Sequence, residues 1–178
     1  MRTLWLRDRA LDLDRVRLLG VLNLTPDSFS DGGRYLDPER ALERAREMVA
    51  EGADILDLGA ESTRPGAAPV PVEEEKRRLL PVLEAVLSLG VPVSVDTRKP
   101  EVAEEALKLG AHLLNDVTGL RDERMVALAA RHGVAAVVMH MPVPDPATMM
   151  AHARYRDVVT EVKAFLEAQA KRALSAGV

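Results

Sequence analysis

At 178 residues, 47% hydrophobic and 29% charged, the chain is long enough to bury one core and too apolar for disorder, so one globular domain is expected. A net charge of −4 with 3% aromatic residues supplies neither a basic stripe nor a stacking platform, which speaks against nucleic acid as a partner. Without cysteine there is no disulfide, thiol nucleophile or thiolate metal site; 19 Arg against 5 Lys, with 2 Asn and 1 Gln, fit a heat-adapted or GC-rich source.

The opening MRTLWLRDRALDLDRVR breaks every apolar stretch with Arg or Asp. It reads as neither signal peptide nor membrane span, so the expectation is a cytoplasmic protein with no membrane partner. Alternation at Leu4/Leu6 and Leu11/Leu13 predicts a short hairpin. Five short apolar runs follow, at about Leu18–Leu22, Ile55–Leu58, Val93–Val95, Leu113–Leu114 and Ala135–Met139, each read as a buried strand. Gly52, Gly90, Gly110 and Gly133 stand just before the last four and end helices. Asp37-Pro38 caps a helix with the apolar face Ala41, Leu42, Ala45, Met48 and Val49; Pro100 opens another carrying Val102, Ala103, Ala106 and Leu107. Strand and helix alternate, which predicts parallel strands joined by right-handed crossovers.

A doubly wound sheet and a (β/α)8 barrel both fit that alternation, and the polar residues favour the barrel. Asn23, Asp57, Asp96, Asn115 and His140 all fall at the carboxyl end of a strand, the edge where such barrels assemble sites from several strands. No G-x-G-x-x-G marks a single Rossmann crevice.

Each candidate has an ordinary structural reading beside the functional one. Asp57 satisfies loop amides as readily as a ligand, and Asp96-Thr97 can form a turn or cap before Pro100. Asn23 and Asn115 are harder to assign to structure alone, because the chain has only two Asn and both follow buried strands. His140 reads as a satisfied strand-end histidine; His112, His132 and His152 have no partner at metal spacing. The charge run Glu73–Arg78 reads as a solvated helix face.

Two polar strings exceed what turns need. TPDSFSDGG offers amides freed by Gly32 and Gly33, hydroxyls at Thr25, Ser28 and Ser30, carboxylates at Asp27 and Asp31, and one aromatic, Phe29, a set that suits an anion, a hydrated metal or a ring. ESTRPGA adds Ser62, Thr63 and the fork of Arg64, suited to phosphate or carboxylate oxygens. Together they suggest a phosphorylated substrate under mobile loops, with Asp96 and Asn115 able to read the donor and acceptor edge of a heterocycle.

GVLNLTPDSFSDGG, GADILDLGAESTRPGA, SVDT, LLNDVTG and VMHM resemble, in order and spacing, the blocks of the dihydropteroate synthases, folate-pathway enzymes inhibited by sulfonamides. The match runs from about Leu18 to the end of the chain, and its first two blocks are long and specific. The resemblance implies condensation of 6-hydroxymethyl-7,8-dihydropterin pyrophosphate with para-aminobenzoate to give 7,8-dihydropteroate and pyrophosphate. It implies Asn23 as the protein ligand of Mg²⁺. Asp96, Asn115 and Met139 would hold the pterin with Asp57 in support, and Asp96 would stabilise a carbocation left by departing pyrophosphate. Ser62, Thr63, Arg64 and Asp31 would serve the pyrophosphate loops, with Phe29 and Pro65 walling the aminobenzoate slot.

SAGV, at residues 175–178, repeats the Gly-Val that begins earlier strands. Five strands do not close this barrel, so the sequence is expected to encode roughly the first five βα units of a single domain, incomplete at its C-terminal end and by itself without synthase activity. The resemblance also implies a homodimer made through later helices. Two other classes remain open: a pterin-binding methyltransferase module that passes a methyl group from methyltetrahydrofolate to a corrinoid, and a non-catalytic truncated pterin binder. The methyltransferase reading gives no reason for TPDSFSDGG or STRPG.

Overall fold

Two sheets, two layers and one repeated helix ending account for the described part of the chain. The computed structural model describes residues 2–25, 37–62 and 68–178. Strand β1 (Thr3–Leu6) pairs antiparallel with β2 (Arg9–Asp12), with Leu6 opposite Arg9 and Arg7 at φ 60° in the turn, as the alternation predicts. Strands β3 (Leu19–Asn23), β4 (Ile55–Gly59), β5 (Val93–Asp96), β6 (Leu113–Asp116) and β7 (Ala135–Val138) form a parallel sheet in that consecutive order. The connecting helices are α1 (Pro38–Ala50), α2 (Val72–Leu87), α3 (Pro100–Leu109) and α4 (Glu123–His132). A 3₁₀ turn (Pro146–Thr148), a short α5 (Met149–His152) and α6 (Val158–Ser175) follow. Order without a switch is the arrangement of (β/α)8 units; a doubly wound sheet reverses direction at its ligand crevice.

Pleating sorts the strand residues into two sets. Leu22, Leu56, Leu58, Val93, Val95 and Leu114 point outward and are buried under Ala41 and Ala45 of α1, Leu79, Val82 and Leu83 of α2, and Val102 and Ala106 of α3. The other set lines the concave face. At its lower end Ile55, Leu113 and Ala135 pack against Leu4, Leu6 and Leu11, so the β1–β2 hairpin plugs the floor. Burial of Leu6, fully hidden from solvent, contributes on the order of 1.5–3 kcal/mol. Arg7 clamps the hairpin by donating to the Leu107 carbonyl at 2.9 Å, and Arg9 donates to the carbonyl of Gly90.

Helix endings repeat one solution. Gly52, Gly110 and Gly133 take φ of 109°, 118° and 61°, and the amide after each bonds the carbonyl five residues back: Ala53 to Met48, Ala111 to Ala106, Val134 to Ala129. Asp37 caps α1 by accepting from the Glu39 amide at 3.0 Å, and Pro100 occupies the first turn of α3, both as read from sequence. The strand bounds shift: Asn23, Asp96 and Asn115 are inside their strands, and β7 stops at Val138, leaving Met139 just past it.

Candidate active site

Backbone register carries the site. Asn23 pairs with Gly59, Gly59 with Asp96, Asp96 with Asn115, and Asn115 with Val137, a single row across all five strands at their carboxyl ends. Residues in one parallel row share a face, so Asn23, Asp96 and Asn115 stand together at the rim of the concave side. Asp57 lies two residues below Gly59 on the same face.

Contacts tighten this row into a pocket edge. The Asn115 amide nitrogen donates to Asp57 Oδ2 at 3.0 Å; Asp57 is 3% exposed, and its Oδ1 has no partner among the described residues. Asp96 folds over Gly59, where a Cβ would sit 3.4 Å from the Asp96 Cβ and 3.5 Å from its Oδ2. Burial first, then the carboxylates of Asp57, Asp116, Glu75 and Glu61, push the Asp96 carboxyl up to about 7. Asp116 turns away from this group, accepting from the Thr118 amide and hydroxyl, each at 2.8 Å, and from the Leu120 amide at 3.1 Å. The result is one carboxyl poised near neutrality, one buried carboxylate with an unused oxygen, and one oriented amide. That set complements the alternating N–H and carbonyl edge of a flat heterocycle.

Asn23 is exposed at the rim of the edge strand. Among the described residues no group of three His, Cys, Asp or Glu could hold a metal ion. The Asn23 amide oxygen is a hard oxygen donor of the kind that would fit Mg²⁺ as a single protein ligand, provided water and phosphate oxygens filled the remaining positions.

Met139, 40% exposed, follows β7, and its carbonyl oxygen lies where a Cβ on Gly119 would collide with it. His140 packs edge-on against Phe165 at 5.1 Å and tilted against Tyr155 at 5.7 Å, and the Arg121 guanidinium covers Phe165 at 4.6 Å. Ser62 is half-buried after β4. Phe29, Asp31, Thr63, Arg64 and Pro65 lie outside the described residues. The turn reading of Asp96-Thr97 holds for Thr97, whose hydroxyl accepts from the Lys99 amide at 3.2 Å.

Glu75 corrects the solvated-face reading of Glu73–Arg78. It is fully buried, accepting from the Thr97 hydroxyl at 2.6 Å and from the Lys99 ammonium. Glu61 joins the same group, pairing with Arg98 Nε and Lys99 Nζ, both at 2.7 Å. Helical spacing carried the missed signal, since Glu75 shares a stripe with Leu79, Val82, Leu83 and Val86, all fully buried.

Residues 19–178 match the family described as pterin binding enzyme. Dihydropteroate synthase from Thermus thermophilus, solved in complex with 4-aminobenzoate, superposes with a TM-score of 0.88 at 90% identity, over 99% of this chain and 63% of that one. The same enzyme in complex with 6HMPPP gives 0.86 at 85% identity, over 100% and 62%. Dihydropteroate synthase of Mycobacterium leprae is 47% identical over 169 residues, 94% of this chain and 60% of that protein. The chain thus spans about three fifths of the length of these relatives.

Proposed function

The chain belongs to the pterin binding enzyme family, and from that premise we propose that its protein is a dihydropteroate synthase. It joins 6-hydroxymethyl-7,8-dihydropterin pyrophosphate to para-aminobenzoate and releases pyrophosphate. The observation that carries this reading is the rim row Asn23, Asp96 and Asn115 with Asp57 bonded beneath it. Structures of the Thermus relative with 4-aminobenzoate and with 6HMPPP support the substrate pair.

In this reaction the bond between the pterin methylene and the pyrophosphate oxygen breaks, and a bond from that carbon to the aminobenzoate nitrogen forms, with loss of one proton from the nitrogen. Asn115 and Asp57 hold the ring edge. Asp96 in its ionised form would stabilise the developing positive charge, an effect strengthened by its partial burial. Asn23 would hold a Mg²⁺ ion, which would supply charge neutralisation toward the departing pyrophosphate. The strings TPDSFSDGG and ESTRPGA, whose residues 26–33 and 63–67 lie outside the described residues, would serve the phosphates and the aminobenzoate. No described helix is long and apolar enough to cross a membrane. On this reading the enzyme works in the cytoplasm. The test is to supply both substrates and Mg²⁺ to a chain extended through a complete barrel and to follow dihydropteroate and pyrophosphate together. Equal formation of the two supports the reading, and a folded protein that forms neither contradicts it.

A further inference from the structure

The carboxyl end of β5 is gripped from its outer side by a buried ionic group that the chemistry above does not use. Asp96 points to the concave face, so the next residue, Thr97, points outward toward α2. There Glu75, with none of its surface exposed, accepts from the Thr97 hydroxyl at 2.6 Å and from the Lys99 ammonium. Lys99 also donates to Glu61 at 2.7 Å, and Glu61 accepts from Arg98 Nε and from the Val70 amide, both at 2.7 Å. On its other side Thr97 donates its backbone amide to the Asn115 carbonyl at 3.0 Å. Thr97 is therefore tied to α2 and β6, and Arg98 and Lys99 to Glu61, which also holds the Val70 amide.

Such a group is a poor way to gain stability. Carboxylates and cations largely removed from water lose hydration that pairing only offsets, and apolar residues of similar volume hold a helix to a sheet as well. What the ionic group adds is direction, because the hydrogen bonds to Thr97 and Lys99 set the rotation of the strand end that aims Asp96. Resting on the synthase reading, we propose that Glu75, acting through Thr97 and Lys99, is the positioning residue for Asp96 and couples that strand end to Glu61 at the base of the neighbouring segment.

The test uses Glu75→Gln in the intact protein. The variant keeps shape and one acceptor while removing the charge that holds Lys99. Expected are a fall of about tenfold to a hundredfold in kcat with a smaller change in KM for aminobenzoate, since small misplacements act on the reacting geometry. The acidic limb of the pH profile should move to lower pH. Among the described residues the charged groups around Asp96 are Asp57 of β4, Asp116 of β6, Glu61, Glu75 and the cations Arg98 and Lys99, and the variant deletes one anion from that set. Two further readouts need no turnover: binding of a free pterin, followed by its own fluorescence, should weaken, and the amides of Thr97 and Lys99 should exchange faster with solvent. If the parent protein forms no dihydropteroate, the synthase reading fails, and these two readouts alone decide the positioning role. Parent-like pterin affinity and parent-like exchange in the variant overturn the proposal, as does an unmoved acidic limb in an active enzyme.

Discussion

Asn115 on β6 donates to Asp57 on β4 at 3.0 Å, bridging over the intervening strand β5. The bridge is possible because β5 presents Ser94, a small residue, directly beside Asp57 in register, and Asp96 beside Asn115. A bulky side chain at 94 would stand where the bond passes. Two polar residues 58 positions apart in sequence thus become one surface, and Asp96 rises between them.

Removing the donor should therefore be felt by a residue that is itself unchanged. Asn115→Ala leaves both Asp57 oxygens buried without a partner, and a loss of about 1–3 kcal/mol is expected in urea unfolding at pH 7. Replacing both partners by leucine should recover most of that stability while abolishing pterin binding. A single variant as stable as the parent would show that water already satisfies Asp57.

Asp96 gives stability a sign that can be measured. Its carboxyl is raised from 3.8 to about 7 in the folded state, so the folded protein holds this proton more tightly than the unfolded chain. The contribution is fully present below the unfolded value and is lost as pH rises from about 4 through about 7. Asp96→Asn, which carries no charge to bury, should be more stable than the parent at pH 8 and should approach it toward pH 4. A variant less stable than the parent at pH 8 would mean that Asp96 is held by attractive contacts that outweigh burial.

Glycines separate a close approach from a backbone angle. At Gly119 φ is 75° and a Cβ would collide with the Met139 carbonyl oxygen and lie 2.9 Å from the Phe165 ring; at Gly90 φ is 78° with nothing within 4 Å. Gly90→Ala should cost about 1 kcal/mol from the left-handed angle alone. Gly119→Ala should cost more than about 2 kcal/mol and shift the end of β7, because backbone must move to admit the methyl group. Equal melting temperatures for the two variants would contradict this contact.

Periodicity made the strands, the hairpin and the helix faces legible, because each period of two or 3.6 is written in apolar residues alone. It also placed Asn23, Asp57, Asp96 and Asn115 at strand ends. What it could not write was register: the pairing of Asn115 with Asp96, and the diagonal to Asp57, depend on how far each strand slides along its neighbour. Glu75 was misread for a different reason. A charged residue inside a charge run looks solvated, and only its place on the stripe of Leu79, Val82 and Val86 marks it as facing inward. The loop residues Phe29, Asp31, Thr63, Arg64 and Pro65, drawn from resemblance, lie outside the described residues.

Asp96 is the group assigned to stabilise charge on the pterin, and one paired measurement tests that role. Dihydropteroate turnover with Mg²⁺ and equilibrium affinity for the pterin pyrophosphate are determined for the parent and for Asp96→Asn. The amide keeps the shape of the carboxylate and loses its charge, so turnover should fall by about a hundredfold or more while affinity falls far less. Losses of equal size in turnover and affinity, or a variant that turns over at the parent rate, would contradict the role given to Asp96.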